Sequence, residues 1–435
     1  MLTQIELTNF KSYKSASLPL GRLTVLIGAN ASGKSNVIEA LRLLAKIARG
    51  ERLSILPSFY PKDQIFRGEL QDLGYQGSKT FGIACTTTEA EWKNLSIEFS
   101  LEEDGDLHVI QEKIISNSSK VPLYEITSAP QGAGSDVIVD YNNFARGGKK
   151  PNIVCSSHMA IFTQLLSEIR FREKNIESRK IIPGVAQKYV RWLSSIVFLE
   201  PEPSSMRSYG HKVDHTLQEH GANLSGVIYN LCLNSDKKRL VLDFIQSLPE
   251  QDIEDIKFIE TPRAEVMLQL VETFGGESRT YDASILSDGT LRVLAIAAVM
   301  LSAPEQSLVV IEEIDNGVHP SRAADLLARI AKIAKDRDLR VLISSHNPAL
   351  LDALPDEAIP ETVFCYRSPQ NGSSQLIRLQ DIPDYPELIA QGSVGHLMTR
   401  GLLERFVKQH PGTEQKKQKA MAWLADLAAV GATGA

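Results

Sequence analysis

Cysteine is scarce in this sequence, with four residues among 435, at the widely spaced positions 85, 155, 232 and 365. The absence of any C-x-x-C pair argues against a zinc site or a disulfide framework and fits a reducing cytosol. Positive charge is not in excess either, because the formal net charge is −6. Any contact with nucleic acid would therefore need a local basic patch.

Long apolar runs are also missing. The longest nearly uncharged stretch, residues 293–303, is too short to cross a bilayer. The N-terminus lacks the basic region and apolar core of a signal peptide. We therefore expect a soluble, cytoplasmic protein with no membrane partner.

One glycine-rich stretch, residues 28–35, matches the phosphate-binding pattern G-x-x-x-x-G-K-[ST]. A buried strand over residues 23–27 is expected before it, and a helix to about residue 50 after it. The backbone N–H groups and the helix N-terminus would bind phosphate. Lys34 would reach the β- and γ-phosphates, and the Ser35 hydroxyl would ligate Mg²⁺. The predicted nucleotide contacts are Gly28, Ala29, Asn30, Ala31, Ser32, Gly33, Lys34, Ser35 and Asn36.

A second helix start lies at residues 286–292, which read L-S-D-G-T-L-R. Ser287 is a good N-cap, and Gly289 lets an anion approach the backbone. Alone this is a capped helix. Together with a phosphate-binding loop, it predicts that Ser287, Asp288 and Gly289 contact the γ-phosphate of a nucleotide held by another subunit.

Two aliphatic runs end in groups that suit phosphate chemistry. Residues 307–311 lead into Glu312 and Glu313; we expect Glu312 to hold the Mg²⁺ shell and Glu313 to polarise the attacking water as a general base. The next run ends at His346, at the sheet edge where ligands bind in open α/β folds. We expect His346 to sense the γ-phosphate.

The remaining pattern predicts further elements. Residues 80–115 alternate as antiparallel strands, 117–151 resemble loop, and helices are predicted over 158–176 and 185–193. Residues 168–191 carry seven basic and three acidic side chains, which favours either a nucleic-acid contact or a solvated helix face. Near the C-terminus we expect a turn and helix at 392–399 and a Lys-rich amphipathic helix at 415–427.

Taken in order, the phosphate loop, L-S-D-G-T, I-E-E-x-x-N-G-x-H-P and S-S-H-N-P resemble an ABC-type ATPase head of the SMC, RecF and OLD kind. The sequence is most similar to compact bacterial ATPases with an AAA_21 core, over roughly residues 1–355. The resemblance implies Walker A at 28–35, a signature at 286–292, Walker B at Glu312 and Glu313, a D-loop at 315–320 and a switch histidine at His346. Glu312 departs from the usual Walker B Asp by one methylene.

The resemblance implies an α/β P-loop NTPase with a mixed central sheet, a flanking antiparallel β-subdomain and a helical insert lobe. The expected divisions are residues 1–116 and 281–355 for the two halves of the head, 117–280 for the lobe and 356–435 for a partly helical tail. ATP and Mg²⁺ are the implied cofactors, and an ATP-dependent homodimer is the implied working unit.

The implied activity is ATP hydrolysis that acts on DNA or controls a separately encoded nuclease or effector, in DNA repair or phage defence. Two alternatives remain. An ATPase subunit of a membrane transporter is disfavoured because L-S-D-G-T departs from L-S-G-G-Q. The second alternative is an OLD-like nuclease component, although the residues after His346 are too few for a nuclease domain.

Overall fold

The computed structural model describes residues 1–58, 66–102, 105–128, 135–145, 147, 149–172, 174–246, 252–315 and 320–409. Three β-sheets and the helices around them make up this part of the chain. No helix within it combines the length and the apolar character needed to span a bilayer.

The central sheet holds the phosphate loop. With strands numbered along the chain, its spatial order is β10 (Val197–Leu199), β15 (Leu308–Ile311), β16 (Arg340–Ser345), β3 (Leu23–Ile27), β17 (Val363–Arg367) and β18 (Ser374–Arg378). All neighbours are parallel except β17 and β18, so the sheet is mixed. Both faces are covered: Val25 and Ile27 pack in one core and Leu26 in the other. This explains why β3 is a continuous apolar run rather than an alternating one.

An eight-stranded antiparallel sheet flanks the central one. Its spatial order is β2 (Tyr13–Pro19), β1 (Leu2–Phe10), β4 (Thr80–Thr87), β5 (Asn94–Leu101), β6 (Leu107–Ile115), β7 (Tyr124–Ser128), β8 (Asp136–Tyr141) and β9 (Asn152–Ser156). In β4 and β5 buried and less buried residues alternate, as the sequence predicted. The loop predicted over 117–151 is wrong at β7 and β8, and the sheet crosses the expected boundary at residue 116.

The helices, also numbered along the chain, surround these sheets. They are α1 (Lys34–Ala48), α2 (Ile161–Gln164), α3 (Ile176–Ser194), α4 (Pro203–Met206), α5 (Leu224–Cys232), α6 (Ser235–Ile245), α7 (Asp288–Ser302), α8 (Pro320–Asp336), α9 (Pro348–Asp352), α10 (Tyr385–Ile389), α11 (Val394–Thr399) and α12 (Leu402–Gln409). The helix predicted over 158–176 is wrong, because only α2 and a 3₁₀ turn at Glu168–Arg170 form there. Helix α3 begins nine residues earlier than predicted and contains Pro183.

The lobe between the two halves of the head contains a third sheet as well as helices. It is formed by β11 (Gly210–His211), β12 (Ile253–Glu260), β13 (Glu265–Phe274) and β14 (Glu277–Asp282), with β13 at its centre. Helices α5, α6 and α7 pack in the same apolar core as this sheet. The lobe therefore contains both helices and strands, and the signature helix α7 packs in a core that the lobe shares with β3, β15 and β16 of the head.

The C-terminal region is integral to the fold rather than a tail. Strand β17 pairs with β3, with Val363 opposite Leu26 and Phe364 opposite Ile27. The expectation that residues 356–435 form a partly helical tail is therefore wrong for β17 and β18. The helix predicted within 392–399 is present as α11. The helix predicted at 415–427 lies outside the described residues.

Candidate functional site

The strand order of the central sheet brings three sequence motifs to one edge. Strand β16 lies between β3 and β15, and the registers pair Ser345 with Ile27 and Ile343 with Ile311. The three strands are parallel, so their carboxyl ends meet at the same edge. The phosphate loop, His346 and the two glutamates follow those ends directly.

The phosphate loop is held through its carbonyl groups. The Tyr13 hydroxyl donates to the Gly33 carbonyl at 3.0 Å, Arg367 Nε donates to Ala31 at 3.1 Å, and the Ser374 hydroxyl donates to Ser32 at 2.5 Å. Gly28 and Gly33 have φ values of +151° and +122°, a region that favours glycine. With these carbonyl oxygens bound to the protein, backbone N–H groups and the α1 N-terminus are left to bind an anion.

Lys34 closes the loop on itself. Its Nζ donates to the carbonyl oxygens of Gly28 and Ala29 at 2.7 and 3.1 Å. Burial lowers the pKa of the Lys34 ammonium, and the carboxylates of Glu313 and Asp315 act in the opposite direction. The ammonium is thus within the electrostatic reach of both acids.

The next two loop residues differ in their surroundings. Ser35 is half-buried at the start of α1. Asn36 donates from Nδ2 to the Ser12 hydroxyl at 2.7 Å. That amide therefore fastens α1 to the first hairpin, a role that the sequence did not suggest for Asn36.

Glu312 is paired with a cation of its own chain. Its carboxylate binds the guanidinium of Arg42, which also binds Glu219 and stacks on the Phe198 ring at 4.9 Å. Burial raises the pKa of Glu312, although Arg42 acts in the opposite direction. Glu312, which the sequence predicted to be a metal ligand, therefore has a cationic partner within the chain. The sequence gave no role to that partner, Arg42. The only available signal was its position on α1, two turns beyond the phosphate loop.

Glu313 has a strained backbone and an exposed side chain. Its φ is +47°, which is uncommon for a residue other than glycine. Its backbone N–H donates to the Ser344 hydroxyl at 3.1 Å, which fixes it against β16. Strain of this kind concentrates at functional sites because the surrounding structure must stabilise it.

Asp315 is a site residue that sequence reasoning assigned only to the D-loop. Its side chain is 5% exposed, and Oδ2 lies 3.6 Å from Nδ1 of His346, whose own side chain is 47% exposed. Its other oxygen, Oδ1, is buried and has no hydrogen-bond partner in the described part of the chain. Such an oxygen is costly unless a donor or a cation satisfies it. The rest of the D-loop, residues 316–319, lies outside the described residues.

The signature segment is at the surface of the lobe. The Ser287 hydroxyl accepts from the Thr290 N–H at 3.1 Å, which confirms the predicted N-cap of α7. Asp288 pairs with Arg207 at 2.6 Å, and its side chain is 66% exposed. Ser287 is exposed and Gly289 is half-buried, so this helix start is open to another molecule.

The basic segment, residues 168–191, is only partly open. Arg170 donates to the carbonyl oxygens of Val154 and Gln164, and Lys188 pairs with Glu89 at 2.8 Å. Its remaining exposed cations include Arg172, Lys174 and Lys180.

Comparison with known proteins agrees with this arrangement. Residues 23–120 and 171–352 match the AAA_21 family, described as "AAA domain, putative AbiEii toxin, Type IV TA system". The matched segments cover more than half of the chain. They include the phosphate loop and the neighbouring ends of β15 and β16. The chain belongs to the AAA_21 family. This assignment agrees with the resemblance to the ATPase heads of SMC, RecF and OLD proteins that the sequence motifs indicated.

Individual relatives of this AAA_21 protein are distant. An "ATP/GTP phosphatase" of Helicobacter pylori is 20% identical over 376 residues, which are 85% of this chain and 91% of that protein. An "OLD nuclease" of Thermus scotoductus is 25% identical over 151 residues, which are 34% of this chain and 25% of that protein. A solved SMC head bound to the C-winged helix domain of ScpA is 14% identical with a TM-score of 0.47, over 86% of this chain and 97% of that one.

Proposed function

We propose that the chain binds ATP with Mg²⁺ at residues 28–36 and hydrolyses it. The observation that carries the proposal is the convergence of the phosphate loop, Glu313 and His346 at three neighbouring strand ends. Lys34 binds the β- and γ-phosphates, and the loop N–H groups bind the remaining phosphate oxygens. Glu313 accepts the proton of the attacking water.

The residues present suit Mg²⁺. Mg²⁺ prefers oxygen ligands, and the Ser35 hydroxyl and the unpartnered Asp315 Oδ1 would supply oxygen ligands to it. Glu312 joins this set only when its contact with Arg42 loosens. The ion supplies charge neutralisation at the β- and γ-phosphates. Asp315 Oδ2 lies 3.6 Å from Nδ1 of His346, so its carboxylate would favour a proton on that nitrogen while the ring meets the γ-phosphate.

The site as a whole is proposed to be shared between two copies of the chain. The open start of α7 has the N-cap and exposure of an anion-binding helix N-terminus, and it is far along the sequence from the phosphate loop. In this arrangement Ser287, Asp288 and Gly289 of one copy bind the γ-phosphate held by the other. ATP thereby closes the homodimer, and hydrolysis reopens it.

Lys34→Ala is expected to weaken ATP binding by about 10-fold to 100-fold, because a charge-assisted hydrogen bond to phosphate is lost. The measurement is titration of the purified protein with a fluorescent ATP analogue in the presence of Mg²⁺. Lys46→Ala is the matched control. It removes a lysine side chain from the same helix, about 18 Å along α1 from Lys34. The ATP affinity of this variant should equal that of the wild type. Equal losses in both variants would contradict the role of Lys34.

We further propose that the nucleotide-driven motion acts on DNA or on a nuclease partner. The support is the basic segment and the likeness to an OLD nuclease. Changing Arg172, Lys174 and Lys180 to Glu should weaken DNA binding and lower the slope of log affinity against log salt by about 1 per lost phosphate contact. Fluorescence anisotropy at several salt concentrations measures both quantities.

The control carries the same change of charge elsewhere. Lys120, Lys237 and Arg239 are exposed and lie outside the basic segment, and their replacement by Glu should leave the salt slope unchanged. If both triple variants lose affinity equally, the attraction comes from net charge and not from the basic segment. If neither loses affinity, the segment is a solvated helix face.

A further inference from the structure

Three side chains with metal-binding chemistry meet in the antiparallel sheet, outside the nucleotide site. Asp106 directly precedes β6, His108 lies within β6, and His158 lies between β9 and α2. One ligand atom from each lies within 4.8 Å of the others, and the two imidazole rings have centroids 4.4 Å apart. Residues distant in sequence are therefore brought together by the sheet.

The two histidines are prepared for a ligand in different ways. Nδ1 of His108 is 2.8 Å from the hydroxyl of Ser157, a fully buried residue. When this Nδ1 donates to Ser157, the lone pair is on Nε2, and such outer contacts orient metal-binding histidines. Nδ1 of His158 is buried and has no hydrogen-bond partner among the residues described. A buried ring nitrogen without a partner is unfavourable unless something binds it.

We propose that Asp106, His108 and His158 bind one divalent transition-metal ion of the zinc class. Two imidazoles and one carboxylate suit Zn²⁺, whereas Mg²⁺ and Ca²⁺ prefer oxygen ligands. Three protein ligands leave the fourth tetrahedral position to water. Tetrahedral bonds of about 2.1 Å place ligand atoms roughly 3.4 Å apart, so binding draws the side chains slightly closer together.

The position of this site gives the ion a structural effect. The carbonyl oxygen of His158 accepts a hydrogen bond of 2.8 Å from the N–H of Leu53, which follows α1. An ion at His158 therefore stabilises the link between β6 and the segment that leaves the phosphate-loop helix. The absence of a C-x-x-C pair disfavours a zinc site built from thiolates, but it does not bear on a site built from histidines that are distant in sequence.

The test uses the full chain, stripped with a chelator and dialysed free of it. Isothermal titration calorimetry with zinc chloride should show one zinc ion bound per chain. Excess Mg²⁺ should not displace the zinc ion. The melting temperature should rise with zinc. His158→Asn and His108→Asn should each weaken zinc binding by at least about 100-fold, because each removes a direct ligand.

His215→Asn is the matched control, since His215 is exposed and outside the cluster. Circular dichroism of the metal-free variants tests folding. If the buried His108 variant does not fold, Asp106→Asn replaces it, because that side chain is only half-buried. The proposal is overturned if zinc does not saturate, if Mg²⁺ displaces it, or if His158→Asn binds zinc as tightly as the control.

Discussion

Replacing Glu313 with Gln is expected to lower the rate of ATP hydrolysis by about 100-fold to 10,000-fold while leaving ATP binding intact. The amide keeps the size of the side chain but cannot accept the proton of the attacking water. A strained φ of +47° and the hydrogen bond from its N–H to Ser344 fix the backbone of Glu313 at the end of β15. Phosphate release at saturating ATP and Mg²⁺ measures the rate.

The same variant should accumulate as an ATP-bound dimer, because in the proposed homodimer closure needs binding and reopening needs hydrolysis. Size-exclusion chromatography with light scattering measures its mass with and without ATP. Glu305→Gln is the matched control: it makes the same change in an exposed residue before β15, at the opposite end of that strand. Hydrolysis at the wild-type rate in Glu313→Gln would remove Glu313 as the base. A monomer with saturating ATP would contradict the shared site.

Gly28→Ala is expected to abolish measurable ATP binding and to lower the free energy of unfolding by at least about 2 kcal/mol. The new Cβ would overlap the carbonyl oxygen of Cys365 in β17 and lie 2.9 Å from the Ser32 hydroxyl. The residue would also keep a φ of +151°, which side chains other than glycine rarely adopt. Either β17 or the phosphate loop must therefore shift. Urea denaturation and ATP titration measure the two effects.

Gly184→Ala provides the control for Gly28→Ala. Gly184 lies within α3, and a Cβ there would meet no atom within 4 Å. Alanine favours a helix over glycine by up to about 1 kcal/mol, so this variant should be as stable as the wild type or more stable. If Gly28→Ala has the same free energy of unfolding and the same ATP affinity as the control, the close approach of β17 to the loop has no functional importance.

Local elements were well predicted where neighbouring residues decide them. Strand β3, the phosphate loop and α1 follow from an apolar run, two glycines and a helical apolar pattern in direct succession. The N-cap at Ser287 depends on a hydrogen bond only three residues long. The buried strands before Glu312 and His346 could be predicted from their own apolar residues alone.

Predictions failed where alternation was weak or where the pairing partner lies far along the chain. Strands β7 and β8 are short and near the end of the antiparallel sheet, so weak alternation concealed them within an apparent loop. Strand β17 forms because β3 offers it a pairing edge, although more than 300 residues separate the two. A window of sequence around residues 363–367 cannot show that partner.

By itself, the sequence determined the family, the phosphate loop and the chemical groups available to act on a nucleotide, because short-range patterns encode all of them. Only the tertiary structure decided how those groups are paired. It committed Glu312 to Arg42, placed Asp315 beside His346, and set Cys365 and Ser374 against the phosphate loop. The order of strands in the sheet determines these pairings, since it sets which strand ends become neighbours.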